Sequence, residues 1–77
     1  MPEIDRLLAT NKFLDENHPG LPDWVRETIA FRVEYAWLAV LRFAGFASQG
    51  DGFSNLVRHM TIRALQDLEA GTLERIV

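Results

Sequence analysis

Apolar positions recur at helical intervals in three stretches of the chain, and no stretch alternates apolar and polar residues for long. The first stretch covers about residues 2–16. Its stripe is Ile4, Leu7, Leu8 and Leu14, with Asn11 set among them and Phe13 pointing away. Pro2 suits a first turn, and Glu3 and Asp5 complement the positive end of a helix dipole. The second stretch covers about residues 23–47, with Asp23 as its expected N-cap. One seam there is Ile29, Val33, Ala36, Val40, Phe43 and Ala47, a heptad-like spacing. A second apolar face holds Trp24, Phe31, Tyr35, Leu38 and Phe46. The third stretch, about residues 53–70, has a wide apolar face: Phe53, Leu56, Val57, Met60, Ala64, Leu65 and Leu68.

Turn chemistry separates these stretches. Pro19 and Pro22 flank Gly20, and a residue before proline is pushed out of the α region. Residues 48–52, with Gly50 and Gly52, read as the next reversal, and Asp51 or Ser54 as the cap that follows it. Gly71 suits the end of the third helix. Thr72 is then expected to cap a further helical turn over residues 72–77, docked through Leu73, Ile76 and Val77. The pattern predicts an all-α fold: a small antiparallel three-helix arrangement with a long central helix and a short C-terminal helical turn. At ~1.5 Å per residue the central helix would run about 36 Å, against a diameter of about 30 Å for a compact chain of this size. It is therefore expected to bend near Gly45 or to project into a partner.

Composition narrows the class. Seventy-seven residues make one domain, 48% of them hydrophobic and 25% charged, too apolar for a disordered tail. With no cysteine, a disulfide scaffold, a thiolate zinc site and a cysteine nucleophile are excluded. Eleven acids against eight bases give a net charge of −3, the wrong sign for a strongly basic nucleic-acid coat. The first ten residues carry Glu3, Asp5 and Arg6 where a signal peptide needs a basic start and an apolar run. Arg32, Glu34 and Arg42 interrupt the most apolar window, so no membrane span is expected. A cytoplasmic location is the resulting expectation.

Catalytic constellations are missing from the pattern. His18 and His59 stand on different elements without the spacing of a helical metal site. Gly50-Asp51-Gly52 lacks the Gly-Lys-Ser/Thr that completes a phosphate loop, and apolar residues occupy positions that a calcium loop after Asp51 would need. Ser48 and Ser54 have no partnered histidine. Asp15 and Glu16 are neighbours and diverge on a helix. The chain is thus expected to be no enzyme and to need no cofactor or metal.

Two binding surfaces stand out. The aromatic residues concentrate on the second helix, which is apolar around most of its circumference and must be covered around most of it. The narrow first helix and the third helix together fall short of that, which leaves surface for another chain, most simply a second copy. Trp24, Phe31, Tyr35, Leu38 and Arg42, with Phe13 at the rim, are the expected interface. Aromatic residues and arginine are the types enriched at such places. Asn11, within an apolar stripe, could set register in a helical association. The alternative is nucleic-acid binding through the third helix in a helix–turn–helix-like arrangement, using Asn55, Arg58, His59, Arg63 and Gln66. These are base- and phosphate-contacting types. Against it, two arginines neutralise few phosphates, and Arg63 can pair with Asp67 one turn on.

Overall fold

The computed structural model describes residues 3–44 and 51–75. Among them are three helices and no strand: α1 (Glu3–Asn17), α2 (Asp23–Ala44) and α3 (Asp51–Ala70). Arg6 near the start of α1 meets Glu34 midway along α2, and Asp15 near the end of α1 meets Arg26 early in α2. Likewise Trp37 meets Phe53 at the start of α3, and Arg32 meets Asp67 near its end. Both neighbours therefore run antiparallel to α2, and α2 is the element on which each of them packs. At ~1.5 Å per residue α2 is about 33 Å long, close to the 35 Å long axis of the molecule.

α2 has 22 residues and α3 has 20, so within the described residues the central helix exceeds its neighbour by little. The expected continuation over residues 45–47, the bend at Gly45 and the reversal over residues 48–50 lie outside the described residues. So do Pro2, Ile76 and Val77, and the side chains of Ile4 and Phe43. α3 begins at Asp51 rather than at residue 53. Gly52 does not take the positive φ of a turn glycine, which only Gly20 and Gly71 adopt among the described residues, and joins the first helical turn instead.

The core is built by Leu14 of α1, Val25, Ile29, Val33 and Trp37 of α2, and Phe53, Val57 and Ala64 of α3. The inward stripe of α2 thus recurs every fourth residue. Ile29 and Val33 of the expected seam are in it, Ala36 is half-buried and Val40 is exposed. Trp37 explains the difference. Its ring packs edge-on against Phe53 at 5.2 Å and 86°, a favoured aromatic geometry that draws this side of α2 inward. On α3 the expected face is the inward one: Phe53, Val57 and Ala64 are buried, and Leu56, Met60, Leu65 and Leu68 are half-buried.

α1 departs from expectation. Its inward stripe is Arg6, Thr10 and Leu14, while Leu7 and Leu8 face outward, 49% and 61% exposed. Asn11 sits half-buried at the edge. A polar side chain can face inward only if its hydrogen bonds are made there. The Arg6 guanidinium grips Glu34 with two nitrogens, Nε reaching Oε1 at 2.8 Å and Nη2 reaching Oε2. Thr10 donates its hydroxyl to the Arg6 carbonyl at 2.9 Å. Thr28 and Thr61 are buried by the same device, each donating to the carbonyl four residues earlier, at 2.7 and 2.8 Å.

The helix ends show two further differences. The Pro22 carbonyl accepts from the Val25 and Arg26 amides, so Pro22 is the capping residue of α2 and Asp23 lies one position inside, where its charge complements the dipole. Gly71, at φ 76°, closes α3 in a Schellman arrangement: its amide donates to the Leu68 carbonyl and the Thr72 amide to that of Asp67. Thr72 also turns its hydroxyl to the Asp67 carbonyl at 3.3 Å. It therefore finishes α3 instead of starting another helix, and residues 72–75 carry no helix. Leu73 nevertheless docks on the core, as its apolar character predicts, and the Arg75 guanidinium lies 5.3 Å from the Trp24 ring centroid.

Candidate interaction surface

With α1 and α3 seated on α2, one arc of the central helix has no cover. Phe31, Tyr35 and Leu38 stand on it, exposed by 50%, 70% and 50%, with Arg42 exposed at its far end. The Phe31 and Tyr35 rings stack against each other, 6.1 Å between centroids and 27° between planes. Such stacking one turn apart holds two large apolar surfaces in place before anything binds them.

The arc is not flat. Leu7 of α1 lies across from Phe31, and between them runs a groove of about 300 Å³ that also touches Arg6, Thr10, Glu27 and Ala30. A second depression lies toward the other end of the helix, lined by Tyr35, Leu38, Ala39 and Arg42. A third meets α3 at Met60, between Phe31 and Tyr35. The exposed Leu7 thus extends the surface onto α1. Periodicity alone assigns Leu7 to the core; the contact of Arg6 with Glu34, 28 residues away in the chain, is what turns Leu7 outward.

Trp24 and Phe13 stand apart from this arc. Both are half-buried and packed against the core. The tail covers Trp24 through Arg75, and His18 lies beside Phe13 with ring centroids 6.1 Å apart.

Charge frames the arc. The Glu34 carboxylate, hydrogen-bonded by Arg6, is held below its ordinary pKa, the guanidinium outweighing the opposing effect of burial. Arg26 pairs with Asp15 at 2.5 Å and Arg32 with Asp67 at 3.1 Å. Glu27 and Arg42, both exposed, have no ion-pair partner among the described residues.

The other expected surface is also outward-facing. Asn55, Arg58, His59, Arg63 and Gln66 are all exposed on α3. The expected Arg63–Asp67 pair does not form, because Asp67 turns to Arg32 of α2. Ile62, 49% exposed, sits in the middle of this face. Among the described residues no group of three or more histidine, aspartate and glutamate side chains could hold a metal ion, and no helix is long and apolar enough to cross a membrane. No family model matches the chain, and no characterised protein or solved structure is significantly similar to it.

Proposed function

We propose that this protein is a non-catalytic interaction module that works as a homodimer through the outer arc of α2. One observation carries the reading: Phe31, Tyr35 and Leu38 form a contiguous exposed apolar surface on a helix already flanked by α1 and α3. Arg42 belongs to the same surface at its end. Trp24 and Phe13, packed against the core, are not counted among its contact residues. The α3 face is the weaker candidate. It offers two arginines with no ion-pair partner among the described residues, an exposed isoleucine between them, and a chain of net charge −3 behind them.

Light scattering coupled to size exclusion tests the proposal. The native chain should run at twice its 8.8 kDa mass. A Phe31→Ser, Leu38→Ser double variant should run at one chain mass with its helical circular dichroism intact, since neither side chain belongs to the core. A native chain that stays at one chain mass at ~100 μM would remove the homodimer, because interfaces of useful size hold well below that concentration.

A further inference from the structure

The exposed arc of α2 is its own complement under a two-fold rotation. Phe31 and Leu38 lie at equal distances on either side of the Glu34–Tyr35 peptide, and so do Glu27 and Arg42. The spacings between these four, 4, 7 and 4 residues, keep them on one face of the helix. We infer that two copies pair α2 against α2 in antiparallel register about an axis at Glu34–Tyr35, with Phe31 packing on the partner copy's Leu38 position and Glu27 pairing with its Arg42. This orientation rests on the homodimer reading and adds to it the register of the contact.

Three observations choose this occupant. In a two-fold interface, whatever one residue meets must meet it in return. Within α2 that condition is met: the rotation sets Glu27, Ala30 and Phe31, which line one depression together with α1, opposite the partner copy's Arg42, Ala39 and Leu38, which line the other. Charge supplies the second. A parallel pairing would set Glu27 against Glu27 and Arg42 against Arg42, and like charges across an interface suppress a wrong arrangement. The antiparallel register sets each against its opposite. The third is availability, for Glu27 and Arg42 have no ion-pair partner among the described residues, whereas Arg26, Arg32 and Glu34 are occupied within the chain. An unrelated partner would give no reason for a face with this symmetry.

Charge reversal tests the register. Glu27→Arg and Arg42→Glu should each raise the dimer dissociation constant about tenfold or more, since each turns two attractive pairs into two repulsive ones. The double variant Glu27→Arg, Arg42→Glu should bind within about threefold of the native chain, and the two single variants should form a mixed dimer when combined. Cysteine placement gives a readout that does not depend on charge, in a chain with no cysteine of its own. Tyr35→Cys, beside the axis, should cross-link to its own copy on oxidation. Glu27→Cys should not, because its two copies would lie about 22 Å apart along the helix and a disulfide needs Cα atoms within about 7 Å. A native dimer whose single reversals leave its affinity unchanged, or whose Glu27→Cys variant self-links, overturns the antiparallel register and leaves the homodimer standing. A native chain at one chain mass overturns both.

Discussion

Arg6 and Glu34 show how a charged pair can take a place that periodicity reserves for leucine. Their side chains are 10% and 28% exposed, and the guanidinium holds the carboxylate bidentately. An arginine fork over a carboxylate combines charge with fixed geometry, and removing one partner leaves the other desolvated without compensation. Because Glu34 is held below its ordinary pKa, its contribution to stability is complete above the unfolded-state value of about 4.3 and is lost as the pH falls through the lower folded-state value. Glu34→Gln should therefore lower the unfolding free energy by about 1–2 kcal/mol at pH 7. The gap to the native protein should shrink steadily once the pH drops below about 4. Urea titrations at pH 7 and pH 3 read both effects, and an equal gap at the two values would mean that the pair contributes nothing through its charge. None of this was legible in the sequence, because Arg6 and Glu34 are 28 residues apart and only the packing of α1 on α2 brings them together.

The helices themselves were more legible. Their existence and the inward face of α3 follow from apolar periodicity, and the break after α1 follows from two prolines around a glycine. Rotation about the axis was legible only where a wide apolar stripe left no choice. α3 has such a stripe. α1 does not, and it turned on its axis to satisfy Arg6 and Thr10 at the expense of Leu7 and Leu8. The end of α3 depends on a backbone geometry that suits glycine. Gly71 takes φ 76°, and a Cβ built there would meet nothing within 4 Å, so the cost of a side chain is conformational alone. Gly71→Ala should destabilise the protein by about 1 kcal/mol, seen as a lower thermal midpoint with unchanged helical content. Thr72, predicted to begin a helix, instead closes one through its amide and hydroxyl. The residue type suits either use, and the glycine before it decided between them.

For the molecule as a whole, the question is how a chain of 77 residues without disulfides secures its fold. A lone core of this size seldom supplies more than about 3–5 kcal/mol. The described core is a single cluster strung along α2, fed from one side by Leu14 and from the other by Phe53, Val57 and Ala64. Association through the outer arc of α2 would add stability by mass action, because the dimer binds the folded chain and not the unfolded one. Raising the protein concentration about a hundredfold should then lift the melting midpoint by several degrees. The Phe31→Ser, Leu38→Ser variant should melt at a midpoint independent of concentration. A native midpoint that does not move with concentration would place all of the stability within one chain.

Local chemistry, read along the chain, was enough for the helical class, the main turn and the presence of more aromatic surface on the second helix than its neighbours could shelter. Periodicity and turn residues act over a few positions, and both are written in the order of the amino acids. Which sides of α1 and α2 turn inward was settled in three dimensions, by the grip of Arg6 on Glu34, the edge of Trp37 on Phe53 and the diversion of Asp67 to Arg32. Those contacts join residues 16 to 35 positions apart, and their strength depends on burial that exists only after the helices have met.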